Sequence, residues 1–157
     1  NNFGVELLLN RFLEMAPAPS ARSGGTRIVE PSEPDFSGFV FKIQANMNPK
    51  HRDRVAFLRV VSGEFRRDMV VPHPRNGRPV RLSNAQRLFA RDRETVDSAW
   101  AGDVVGLVGN YEFQIGDTLS EKPGIQFDEI PHFAPECFAN IFSTSSATQK
   151  RFREGLD

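Results

Sequence analysis

Lys50, His51, Arg52 and Arg54 put several cationic or protonatable side chains within five consecutive positions. Ammonium and guanidinium groups are hydrogen-bond donors with no acceptor of their own, so a cluster of them suits phosphate oxygens. Such groups hold an anion in place; they do not attack it. The same residues also suit a charged connection that faces water, and residue type alone leaves both readings open. Arg66, Arg67, Arg75, Arg78 and Arg81 follow near later turns and would extend a cationic patch if the fold gathers them.

Catalysis requires groups that exchange protons, attack or hold a metal, and sets of them are scarce here. The histidines are His51, His73 and His132, and no two have the spacing of a helical zinc pair. His132 and Cys137 could form a nucleophile pair, but a lone cysteine is more often a small buried hydrophobe. No glycine precedes a lysine and no asparagine precedes a lysine, which excludes a phosphate-binding loop of the Walker type and the guanine-reading NKxD pattern. Catalytic, cofactor-binding and metal-binding residues are therefore expected to be absent from this chain. Gly38-Phe39-Val40-Phe41 has the aromatic alternation of an RNA-recognition strand, without its leading basic residue. With 14 Phe but one Trp and one Tyr, the aromatics read as interior packing.

The elements that would position these residues are mostly strands. Val5, Leu8, Leu9, Phe12, Leu13 and Ala16 carry the spacing of one helical face, with Asn2 as N-cap and Pro17 as the stop. Residues 17–36 are rich in Pro, Ser and Gly and read as a linker or crossover. The period then becomes two: Phe39, Phe41 and Ile43 are expected on one core-facing side of a strand, and Val55 to Val61 forms the next. Further strands are expected at Met69–Val71 and Val80–Leu82 across an Asn76-Gly77 turn, then at Leu88–Ala90, Val104–Val108, Phe113–Leu119 and Ile125–Ile130. Cys137–Phe142 reads as one more strand, and a helix begins at Ala147. Short strands separated by turns at this density imply an antiparallel β-barrel or sandwich.

Charge is balanced overall, 20 basic against 20 acidic residues, but not along the chain. From Lys42 to Arg93 there are 13 Lys/Arg and 4 Asp/Glu, a net of +9; from Glu94 to Gln149 Lys122 stands against 9 acids, a net of −8. Either the halves interdigitate in the fold or a basic side faces an anionic partner. One cysteine allows no internal disulfide, and the expected compartment is the cytosol. No apolar run approaches a membrane span, so no membrane partner is expected. The first residue is Asn1, and a chain cut from a longer protein is expected.

Ser37 to Gly63, including Met47-Asn48-Pro49-Lys50-His51-Arg52-Asp53-Arg54, closely resembles the second domain of the bacterial peptide chain release factor 3 family, within the translational GTPases. Ala101 to Leu107, Gln114 to Leu119 and Ile130 to Glu136 fit the same family, so the resemblance covers nearly the whole chain. It implies a β-barrel of the translation-factor second-domain type at residues 37–131. It further implies that residues 1–16 are the last helix of a GTPase domain, that 17–36 are a crossover, and that 132–157 lead into a third domain. GTP or GDP and magnesium are implied for the longer protein, with no cofactor in this part. The implied partners are the ribosome, through small-subunit rRNA and proteins, the protein's own GTPase domain, and the release factors indirectly. Phosphate contacts fall to Lys50, Arg52 and Arg54, with His51 beside them. A free-standing RNA-binding barrel is the alternative on residues alone.

Overall fold

The computed structural model describes residues 2–45, 54–89, 92–109, 111–131 and 133–156. Helix α1 (Val5–Met15) comes first, and β1 (Arg22–Ser23) and β2 (Ile28–Val29) form a small hairpin. The long strands β3 (Ser37–Ala45) and β4 (Arg54–Ser62) follow, then β5 (Glu64–Arg66), β6 (Val70–Pro72) and β7 (Pro79–Arg81). The chain continues through β8 (Ala85–Phe89), β9 (Asp92–Thr95), β10 (Ser98–Trp100), β11 (Val104–Val108) and β12 (Thr118–Ser120) to α2 (Gln149–Glu154). One sheet has the order β12-β3-β4-β11-β8-β9, and β5 pairs β10 while β6 pairs β7. Every ladder is antiparallel. The fold is mainly antiparallel β, as the strand pattern requires.

β3 departs instructively from its expected alternation. A bulge between Val40 and Lys42 shifts the phase, so that Val40, opposite Leu58, and Ile43, opposite Ala56, lie toward the same core although they are three residues apart. Phe39 and Phe41 instead pack into a second cluster with Val29, Val61 and Phe127. Both faces of the strand are covered, which a single-sided period of two does not describe. The first cluster joins Phe36, Val40, Leu58, Val60, Phe65, Leu107 and Leu119, with the Phe36 and Phe65 rings edge-on at 5.8 Å. Each such fully buried side chain contributes about 1.5–3 kcal/mol over its exposed state.

Several expected elements changed. Asn2 does not cap α1 through its side chain: the helix begins at Val5 after Gly4, which has φ 79°. Ala16 turns extended before Pro17, as the proline demands. The segment read as linker carries β1 and β2 and buries Val29 and Phe36 completely. Residues 114–117 form a turn, because Asp117 accepts the Gln114 N–H at 2.7 Å and Gly116 has φ 93°, and only Thr118–Ser120 joins the sheet. Ile125 makes an isolated bridge to Gly25 in place of a full strand. Residues 137–142 find no ladder, and Phe138, Ile141 and Phe142 are exposed. β5, β9 and β10 escaped sequence reading because they are short and mostly polar: Phe65 and Ala99 are the buried residues of β5 and β10.

Gly63 joins β4 to β5 at φ 64°, and a Cβ there would lie 2.5 Å from the Asp35 carbonyl carbon and 2.6 Å from the Phe36 nitrogen. Gly124 has φ 81° but open space around it. Gly124→Ala is therefore expected to cost about 1 kcal/mol for the left-handed backbone alone. Gly63→Ala, which adds a backbone clash, is expected to cost at least twice that in urea unfolding. A second expectation concerns acid. Glu33 lies well below its usual range, at about 2, because the Arg27 guanidinium and the Glu30 N–H bond its carboxylate. A depressed folded pKa adds stability above the unfolded value near 4.5, and that stability is lost as pH falls toward 2. Glu33→Gln should flatten the unfolding midpoint across this window, and the difference should shrink in high salt because the pair faces water.

Candidate anion-facing surface

Lys50, His51 and Arg52 lie outside the described residues, so of the expected phosphate-binding set the structure places Arg54. Arg54 is the exposed first residue of β4, opposite Ala45, and its carbonyl accepts the Gly109 N–H at 3.1 Å. The ladder thus anchors its backbone and leaves the side chain in solvent.

Several of the other arginines are engaged by acids or lie at the far end of β4. Gly63 sends β5 away at the far end of β4, and with it Arg66 and Arg67. Arg67 meets Asp97 at 2.9 Å, Arg81 meets Asp68 at 3.1 Å, and Arg75 meets Asp117 at 3.5 Å and donates to the Glu112 carbonyl. Arg87 and Glu94 stand opposite each other across β8 and β9. Asp97, Asp117 and Glu94 belong to the acidic half, so the two halves partly neutralise each other in space. Arg78 is exposed, and its N–H caps the Asn76 side chain in the Asn76-Gly77 hairpin at 3.0 Å.

The titratable groups considered for catalysis also find places. His73 is 6% exposed and stacks on Phe113 at 5.6 Å, and Tyr111 also stacks on that ring at 5.1 Å. Its Nδ1 accepts the Arg75 N–H at 3.3 Å, which places a neutral ring's proton on Nε2. His73 is thus a packed turn residue. His132 lies outside the described residues, and Cys137 is exposed, not a buried hydrophobe. Among the described residues no three His, Cys, Asp or Glu side chains converge to hold a metal. A cleft of about 350 Å³ runs between His73, Arg75, Asp117 and Lys122. Its cations are already occupied: Arg75 faces Asp117, and Lys122 pairs with Asp35.

A second cleft, of about 470 Å³, was not signalled by the sequence. It lies between Pro17–Ser20 and the turn Ala101–Asp103, and Arg22 and Arg59 line it. Arg22 sits over the Phe39 ring at 5.7 Å and pairs with Glu129. Its pKa is lowered by partial burial and by the neighbouring Arg59. Arg22 falls in a segment coded like a linker and Arg59 in a strand read as core, and neither position alone points to the other.

The β3–β4 pair with β11 and β12 flanking it forms the centre of an antiparallel β module. The family model described as "Elongation factor G domain 2" matches residues 35–122, and the chain belongs to that family. Its relatives are narrower in kind. It is 54% identical over 156 residues to peptide chain release factor 3 of Synechocystis sp., 52% over 156 residues to that of Symbiobacterium thermophilum, and 46% over 157 residues to that of Listeria welshimeri. These matches cover 99% of this chain and 28%, 30% and 30% of the respective relatives, so the chain spans less than a third of their length.

Arg67 and Arg75 are held by acids within the fold, so they should serve stability rather than anion binding. Arg67→Gln and Arg75→Gln are each expected to lower the urea midpoint by an amount worth about 0.5–1 kcal/mol. Their effect on oligouridylate binding, followed by anisotropy, should be less than twofold.

Proposed function

We propose that this chain is the non-catalytic second-domain portion of a peptide chain release factor 3-like GTPase, acting in translation termination and release-factor recycling. The observation that carries the reading is the 46–54% identity to release factor 3 sequences over 99% of the chain, which takes in α1, the β module and α2 together. In this reading residues 1–16 end a preceding GTPase domain, 17–36 cross over onto the β module of 37–131, and 132–157 open a third domain. The exposed apolar residues of α1, including Leu8, Leu9, Phe12 and Leu13, suit a helix whose covering surface belongs to such a neighbour.

The work of this part is mechanical and electrostatic. The β module moves as a body when the GTPase domain changes nucleotide state, and it docks on small-subunit rRNA through Lys50, His51, Arg52 and Arg54. Phosphate contacts of this kind orient the module without reading sequence. GTP and magnesium belong to the longer protein; no Gly-Lys step exists here to form a phosphate loop, so this chain's residues do not hold them. The reading places the protein in the cytoplasm with the ribosome. No helix among the described residues is long and apolar enough to cross a membrane.

In the full-length protein, Lys50→Ala, Arg52→Ala and Arg54→Ala combined should weaken ribosome binding by ~10-fold or more and make its log–log salt dependence shallower by about two. Unchanged affinity and unchanged salt slope in the triple variant would remove the docking assignment.

A further inference from the structure

The turn that joins β10 to β11 combines features that the proposed rRNA docking does not use. It is tightly made: the Gly102 N–H donates to the Val60 carbonyl at 2.9 Å, the Val60 N–H to the Asp103 carbonyl at 3.0 Å, and the Trp100 N–H to the Asp103 carboxylate at 2.9 Å. Pro19 lies against Gly102, where a Cβ would come within 2.7 Å of the proline ring. On this rigid frame stands Trp100, 58% exposed, with Val104, 37% exposed, on the other side of the turn. Large aromatics held out in solvent on a fixed backbone are typical anchors of protein interfaces.

Ala101, Gly102 and Asp103, which directly follow Trp100, line the cleft that also holds Arg22 and Arg59. Arg59 is half-buried, opposite Phe39 on one side and Val104 on the other, and its Nη2 lies 4.0 Å from the position of a Cβ on Gly102. Arg22 has Glu129, but Arg59 makes no ion pair among the described residues. A guanidinium partly withdrawn from water, with a second one near it, gains more from an added anion than an exposed arginine does.

The surroundings indicate which anion. Glu64 stands opposite Trp100 on β5, Glu129 pairs with Arg22, and Asp103 closes the turn. With these acids around it the site is no continuous cationic track of the kind a polyanion follows, whereas a single carboxylate over Arg59 needs only that guanidinium. We infer that the Trp100–Arg59 surface is a protein-docking site, taking a carboxylate side chain of the partner in the Arg22/Arg59 cleft and an adjacent apolar side chain against Trp100. The site lies toward the Ser62 end of β4, away from Arg54, so it is available while Arg54 is engaged.

Trp100 is the single tryptophan of the chain, so its fluorescence reports this surface directly. The probes are acetyl-Leu-Glu-Leu-amide, its Gln counterpart and oligouridylate, each titrated against the 157-residue chain. The Glu peptide should give a saturable change near the millimolar range, and both the Gln peptide and Arg59→Ala should weaken it by ~10-fold. Circular dichroism checks that the Arg59→Ala variant is folded. If it is not, the Glu and Gln peptides compared on the unaltered chain decide the matter. The proposal is overturned by the absence of a saturable Glu-peptide signal, by equal binding of the two peptides, by indifference to Arg59→Ala in a folded variant, or by tighter, Arg59-dependent binding of oligouridylate.

Discussion

The close approach of Gly63 to Asp35 and Phe36 is the constraint on which the module depends. With no side chain at Gly63, the backbone leaving β4 lies directly on the strand that enters β3. A short polar seam secures the same place. The Ser37 and Ser62 hydroxyls meet at 2.6 Å, and Ser62 donates to the Asp35 carbonyl at 2.9 Å. The Phe36 N–H reaches the Glu121 carboxylate at 2.8 Å, while the Phe36 carbonyl accepts from the Glu121 N–H at 3.0 Å. Satisfied polar groups at a buried seam are stabilising, and unsatisfied ones would be costly, so the approach is tolerated in one register only. From it follow the contact of Phe36 with Phe65, the direction of β5, and hence the placing of β10 and its turn.

That geometry also decides what becomes of charge. Because β5 departs at one end of β4 and Arg54 begins the other, Arg66 and Arg67 lie away from Arg54. Antiparallel pairing brings Glu94 opposite Arg87, and the loops bring Asp97 to Arg67 and Asp117 to Arg75. These pairs are partly exposed and individually weak. Their greater effect is that Arg67, Arg75 and Arg81 are engaged within the fold, whereas Arg59 makes no ion pair among the described residues.

Membership of the elongation factor G domain 2 family and the likeness to release factor 3 rest on the β module and on nearly the whole chain respectively. Packed His73 and exposed Cys137 supply no paired acid and base among the described residues.

Local features were legible because their causes are local. Pro17 ends α1 through its own ring, the Asn76-Gly77 turn appears where its residues demand it, and the β-branched run of β4 pairs as a strand. The resemblance in Ser37–Gly63 and Ala101–Leu107 likewise resides in contiguous residues. What the sequence by itself determined was therefore the mainly antiparallel class, the position of the long hairpin and the family. Only the tertiary structure decided that a bulge turns Phe39 and Phe41 into a second core, that Val29 and Phe36 are buried, and that Arg22 and Arg59 line one cleft with the 101–103 turn. The reason is that burial and charge pairing arise between segments distant along the chain, and periodicity describes a strand without its neighbours.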